Sequence, residues 1–225
     1  AENGIIGLTE VDTRALTRHI RSRGAMRAVI STEDRDPDEL VEKARQSPGL
    51  IGRDLVKEVT CPEPYEWDRE TPAEWRLQEP LSERRFRVVV YDFGTKYNIL
   101  RSAREVGCDL WVVPASTPAE EVLALDPDGV LLSNGPGDPE GLPYAVETVR
   151  KLIRYKPTFG ICLGHQLIGL ACGGKTFKLK FGHRGANQPV KNLGTDQVEI
   201  TCQNHGFAVA ADSLDDDIEI THINL

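Results

Sequence analysis

Basic charge is scarce in this 225-residue chain: 27 lysines and arginines face 35 aspartates and glutamates, for a net charge of −8. No long basic run occurs, which argues against nucleic acid or an anionic membrane surface as the main partner, since both reward clustered cations. Long apolar runs are also lacking. None approaches the roughly 20 residues needed to span a bilayer, and the opening AENGIIGLTEVD lacks the charged-then-apolar plan of a signal peptide. Cysteine is limited to Cys61, Cys108, Cys162, Cys172 and Cys202. The count is odd, the spacing is wide and no C-x-x-C pair exists, so a disulfide framework or a zinc site is not expected. Reduced thiols in a cytoplasmic protein are the better reading. What is present, 40% apolar and 28% charged residues, describes an ordinary globular protein of one large domain or two modest ones. The chain opens without methionine, as if in mid-domain.

Residues 1–60 read as the tail of an α/β domain. Asp12 can cap a helix that turns Ala15, Leu16, His19 and Ile20 inward and stops at Gly24. Residues 26–31 (MRAVIS) suit a strand, and Asp36-Pro37 opens a second helix with Leu40, Val41 and Ala44 facing inward. From 61 to 85, Pro62, Pro64, Pro72 and Pro80 break any period, and charges alternate with Trp67 and Trp75; the stretch reads as a linker that packs against something. From 86 the pattern is regular. FRVVVY (86–91), LWVVP (110–114), GVLLS (129–133) and TFGI (158–161) are strand runs, and helices are expected up to Gly107, from Thr117-Pro118 to Leu125, over 143–155 and after Cys162. Strands alternating with helices predict an α/β fold with a doubly wound, mostly parallel sheet, whose sites gather at the carboxyl ends of strands.

One cysteine stands in an unusual setting. In Gly160-Ile161-Cys162-Leu163-Gly164-His165-Gln166 a buried strand ends at Cys162, glycines lie two residues to either side, and a helix follows at once. That is the plan of a nucleophile elbow, G-x-S-x-G with sulfur in place of oxygen. The helix N-terminus favours a thiolate, and the N–H of Leu163 can serve an oxyanion hole. The plainer alternative is a core cysteine that happens to fall between glycines. A second stiff turn, Ser133-Asn134-Gly135-Pro136-Gly137-Asp138-Pro139, ends the third strand and can present backbone N–H groups to an anion or a carbonyl oxygen.

SNGPGDP followed by GICLGHQ resembles the signature pair of class I glutamine amidotransferases, a flavodoxin-like fold. Within that class VDTRALTRHIRSRGAMRAVIS, YDFGTKYNILR, KFGHRGANQPV and QNHGFAV are similar to the carbamoyl-phosphate synthetase small subunit, over essentially the whole chain. The resemblance implies the C-terminal part of that subunit's N-terminal domain over 1–60 and an amidotransferase domain over 86–225. It implies Cys162 as nucleophile, Gly135, Gly137 and Leu163 as oxyanion and glutamine-cradling backbone, Gln166 as a substrate contact, and Asn204, Gly206 and Phe207 as the loop holding the amino-acid end of glutamine. The implied partners are L-glutamine and a large subunit. No cofactor is implied in this chain, because ATP, magnesium and bicarbonate are used by the large partner.

The family's catalytic histidine and glutamate occur as His-Pro-Glu, and no His-x-Glu exists here. His19, His165, His183, His205 and His222 each have a plainer reading as packing or surface residues. The expectation is therefore a fragment truncated at both ends, with weak or no glutamine hydrolysis, and a terminal strand without a following sheet partner. Rival readings are another class I amidotransferase serving GMP, CTP or anthranilate synthesis, a non-catalytic module that keeps the elbow, and a nucleotide-binding domain using SNGPGDP for phosphate. Neither a G-x-G-x-x-G nor a P-loop lysine pattern is read as supporting the last.

Overall fold

The computed structural model describes residues 4–33, 36–76 and 85–225. Its centre is a five-stranded sheet in the order β1-β3-β2-β4-β5, with β1 at Tyr65–Trp67, β2 at Phe86–Asp92, β3 at Cys108–Pro114, β4 at Gly129–Leu132 and β5 at Thr158–Gly160. β2 runs parallel to β3 (Val88 opposite Leu110) and to β4 (Val88 opposite Gly129), and β4 runs parallel to β5 (Leu132 opposite Gly160). The valine run of β2 is apolar at consecutive positions because both faces of the strand are covered. Val89 and Tyr91 point to one side, where they pack with Val122, Val149, Leu152, Leu163 and Leu167; Val90 points to the other, against Leu100, Leu110 and Trp67. The doubly wound α/β sheet expected from the strand–helix alternation is thus what the chain forms.

Helices α3 (Tyr97–Glu105), α4 (Ala119–Ala124), α5 (Pro143–Leu152) and α6 (Leu163–Ala171) follow successive strands. α5 begins on a proline, whose missing N–H costs nothing at that position, and buries Ala145, Val149 and Leu152 at i, i+4 and i+7. Each fully buried leucine or valine of this layer contributes roughly 1.5–3 kcal/mol. α6 ends in a Schellman-type turn: Gly173, at φ 90°, donates to Leu170 O and Gly174 to Gly169 O. A second, antiparallel sheet in the order β7-β6-β8 joins β6 (Lys175–Asn192), β7 (Val198–Ala210) and β8 (His222–Asn224). The terminal strand pairs with β6, Val190 opposite Asn224, and stands at the edge of this sheet.

Three expectations need correction. The stretch read as a linker supplies β1, which lies antiparallel on the edge of the main sheet (Tyr65 opposite Val112) and buries Trp67. The packed body reaches back further still: Val56 is fully buried in the main core, and the N–H of Gly52 donates to Asp138 Oδ2. Residues 26–31 form no strand. They have no ladder partner among the described residues, and the nearby backbone bond is Ala25 N–H to Lys180 O. Helices α1 (Thr13–Arg23) and α2 (Pro37–Gln46) form where their caps Asp12 and Asp36 direct, yet neither buries a residue. Leu16 and Val41 of the faces expected to turn inward are about half exposed, at 51% and 46%.

Candidate active site

Cys162 sits at the N-cap of α6 with φ 54° and ψ −106°, a backbone state that costs a non-glycine residue about 1–3 kcal/mol. The neighbouring glycines show what holds it there. A Cβ on Gly160 would lie 2.4 Å from the carbonyl carbon of Gly164, and one on Gly164 would lie 2.2 Å from Leu132 O. The turn is so tight that strand end, helix start and the adjacent strand touch backbone to backbone. The N–H of Gly164 donates to Ser133 O and that of Ile161 to Leu132 O, tying the elbow to the end of β4.

The second glycine turn lies alongside. Gly135 packs so closely that a Cβ would come within 2.5 Å of Leu163 Cδ2 and 2.4 Å of Phe93 O, so only glycine lets this turn approach the elbow. Gly137, at φ 91°, instead meets Arg53 and Leu55. Ser133, fully buried, accepts from Phe93 N–H at 2.9 Å and donates to Asn134 O at 2.8 Å. Asn134 then accepts from Lys96 N–H and donates to Gly94 O, both at 3.0 Å. The loop after β2 and the loop after β4 are thereby stitched into one rim beside Cys162.

The opposite rim is the QNHGF segment on β7. The Sγ of Cys162 lies 3.8 Å from Asn204 O. Phe207 is buried, and its carbonyl accepts from Gln166 Nε2 at 2.7 Å. Gln166 is itself 5% exposed, and its amide nitrogen ties α6 to the loop at Phe207. His205 Nδ1 approaches the same carbonyl at 2.7 Å, and its Nε2 faces Gln203 Oε1 at 2.9 Å and His183 Nδ1 at 3.2 Å. Gly206 lies half-buried between these anchors.

Burial pushes the Cys162 thiol up; the N–H of Leu163 and the charge of Lys96 pull it down. Cys61, by contrast, is pushed to about 11 by burial first and by Asp92 second, and Cys172 is raised by burial and by Asp217. Of these three thiols only Cys162 has a cation favouring its thiolate. The proton affinities of His165 and His183 are lowered by desolvation first and by His205 second. A hydrogen bond with Gln203 acts in the opposite direction on His183.

Sequence reasoning overlooked several features. Ser133, Asn134 and Lys96 form the rim, and the Lys in FGTK just after a strand end was the available signal. The cross-strand histidine pair had no signal short of the β6–β7 register. The reading that no P-loop lysine pattern is present needs correction, since Gly169 to Thr176 (GLACGGKT) carries the G-x-x-x-x-G-K-[ST] spacing. Its structural order is reversed: the glycines close α6 and the lysine opens β6. The N–H groups of Gly173, Gly174 and Lys175 donate to Leu170 O, Gly169 O and Ser213 Oγ, which leaves none to cradle a phosphate. Among the described residues no cluster of three metal-ligating side chains forms, and no helix is long and apolar enough to cross a membrane.

A thiol on a strained elbow, a glycine turn pressed against it and a backbone loop opposite define a class of cysteine-dependent acyl-transfer sites on a doubly wound sheet. A family model for class-I glutamine amidotransferases matches residues 89–225, and the chain belongs to that family. A second, for the CPSase domain of the carbamoyl-phosphate synthase small chain, matches residues 1–30. Over all of its length the chain is 58% identical to the carbamoyl phosphate synthase small chain of Syntrophotalea carbinolica and 52% identical to the chloroplastic small chain of Oryza sativa, covering 60% and 50% of those proteins. It thus spans half to three fifths of the length of these curated relatives. In fold it is similar to a Thermoplasma acidophilum protein assigned as part of a GMP synthase, with a TM-score of 0.52 at 26% identity over 60% of this chain and 71% of that one.

Proposed function

We propose that the chain is the glutamine-hydrolysing part of a carbamoyl-phosphate synthase small subunit, with Cys162 as its nucleophile. The observation that carries this reading is the elbow: a cysteine held at positive φ on a helix N-terminus, with backbone approaching from two neighbouring strands. The match at residues 1–30 favours this subunit over other class I amidotransferases, which share the signatures at Gly135 and Cys162.

In the proposed reaction the Cys162 thiolate attacks the side-chain amide carbon of glutamine, forming a C–S bond. The charge that develops on oxygen is met by the N–H of Leu163, with Gly137 as the second donor. The C–N bond then breaks, ammonia leaves with one added proton, and a glutamyl thioester remains for water to hydrolyse to glutamate. The loop from Asn204 to Phe207 cradles the amino-acid end of the substrate, where carbonyl acceptors suit an ammonium group and N–H donors suit a carboxylate. The reading assigns the attack on glutamine to Cys162 of this chain. Ammonia passes to a large subunit that uses ATP, magnesium and bicarbonate, in a cytoplasmic pair of unlike chains.

The test is Cys162→Ser in the small subunit paired with its large subunit. Loss of glutamine-dependent synthesis with retention of synthesis from free ammonia is the expected result. Equal loss of both would remove Cys162 from the proposed role.

A further inference from the structure

The glycine turn after β4 is open on the side of the elbow and braced from behind. The N–H groups of Gly135 and Gly137 bond to no carbonyl among the described residues, which leaves them for a ligand oxygen and leaves the turn without a ladder of its own. Behind it run residues 52–59, as a strap. A Cβ on Gly137 would lie 3.3 Å from Arg53 O and 3.6 Å from Leu55 Cβ, and one on Gly141 would lie 2.9 Å from Arg53 O and 3.2 Å from the carbonyl carbon of Gly52. Strap and turn thus meet backbone to backbone. Further along, Val56 is fully buried in the main core, and Val59 packs with Pro136 around Gly94.

One side chain fastens the two together. Asp138 is 5% exposed, and each of its oxygens accepts from a backbone N–H: Oδ1 from Glu140 at 3.1 Å and Oδ2 from Gly52 at 2.9 Å. The first bond is local and caps the short turn Pro139–Gly141. The second reaches across 86 positions of sequence to the start of the strap. Beyond it the strap is folded on itself by Asp54, whose Oδ1 accepts from Val56 N–H at 3.1 Å and Lys57 N–H at 3.3 Å. Lys57 stands 5.7 Å over the ring of Tyr144 on α5. The strap is therefore anchored in the core at Val56 and clamped to the turn at Asp138.

We propose that Asp138 is a positioning residue for the attack on glutamine: by clamping the strap at Gly52 it holds the backbone of Gly135 to Gly137 where charge develops on the amide oxygen. The inference rests on the proposed function of the Cys162 site. Donors aimed at a developing oxyanion act chiefly in the transition state, so a turn that loses its brace costs turnover more than glutamine affinity. The thiol itself stays in place. Its elbow is tied to β4 through Gly164 N–H to Ser133 O and Ile161 N–H to Leu132 O, and neither bond involves the strap.

The small subunit paired with its large subunit tests this as wild type, Asp138→Ser and Gly141→Ala. Serine has a single oxygen, which caps Glu140 and leaves the Gly52 N–H without its acceptor. Gly141→Ala keeps Asp138 and pushes the strap away from the turn, since the methyl group would stand 2.9 Å from Arg53 O; it decides the matter should Asp138→Ser not fold. Steady-state glutamine hydrolysis gives kcat and KM. Iodoacetamide labelling of Cys162, which needs no oxyanion donor, reports on the elbow alone. The expected result for both variants is kcat lower by about tenfold or more, KM within about twofold of wild type, and an unchanged labelling rate. A kcat within about twofold of wild type in either folded variant, a loss carried by KM, or labelling that falls in step with kcat would overturn the inference, the last because it marks a general loosening of the elbow. Wild type that still hydrolyses glutamine after Cys162 is blocked would instead overturn the proposed function on which the inference rests.

Discussion

The thiol of Cys162 is governed by opposing influences that single substitutions can separate. Burial raises its proton affinity, and the Leu163 N–H and the Lys96 charge lower it. Lys96→Met removes a group that favours the thiolate, so the folded-state pKa rises and the rate of alkylation at a fixed pH below it falls. Iodoacetamide labelling of Cys162 followed by peptide mass analysis checks this, and an unchanged pH profile would show that Lys96 does not act on the sulfur. Ser133 presents a different case. Its hydroxyl is fully buried and serves both Phe93 N–H and Asn134 O. Ser133→Ala leaves a buried N–H without its acceptor, at a cost of about 1–3 kcal/mol, read as a lower urea midpoint with little change in slope. Much of this level was legible from sequence where glycine spacing reported it, as at Gly160, Cys162 and Gly164. The rim bonds of Ser133, Asn134 and Lys96 were not, because they join residues about 40 positions apart.

At the scale of elements, the elbow depends on three backbones meeting without side chains between them. Gly164→Ala would place a methyl group 2.2 Å from Leu132 O and 2.7 Å from its carbonyl carbon and Cβ, with no flexible atom to yield. Overpacking of this kind costs about 3 kcal/mol or more, and urea unfolding of the variant is the measurement; a loss below about 1 kcal/mol would show that the elbow can relax. β2, β3 and β4 were readable because consecutive valines and leucines mark strands covered on both faces. β1 was hidden by prolines and alternating charges, and only Trp67, buried against Leu110 and Val112, hinted at it. The strand expected at residues 26–31 failed for the opposite reason: MRAVIS has the composition of a strand but no neighbour to pair with among the described residues.

The molecule as a whole is unevenly consolidated. The core gathers Val89, Tyr91, Leu132, Leu152 and Leu167 at the main sheet, whereas Ile5, Leu8, Met26 and Ile51 are 60–78% exposed and α1 and α2 bury nothing. Opening of α1 and α2 therefore costs little, while exchange in β2 and β4 requires disrupting the core. Hydrogen exchange of the 225-residue chain is expected to show amides of α1 and α2 at least ~100-fold less protected than those of β2 and β4; equal protection would show cover for these helices that the fold does not display. This unevenness was partly legible in the reading of residues 1–60 as the tail of a domain, since a stretch of that length closes a core only marginally.

The central claim is that Cys162 is the attacking thiol of a glutamine-hydrolysing site. It is tested most directly by incubating the chain with glutamine, quenching with acid, and mapping covalent adducts by mass spectrometry. The account predicts a glutamyl thioester on the peptide containing Cys162, absent from the Cys162→Ser variant and from peptides bearing Cys61, Cys108, Cys172 and Cys202. An adduct on another cysteine, or none on Cys162 when calorimetry shows glutamine bound, would contradict it.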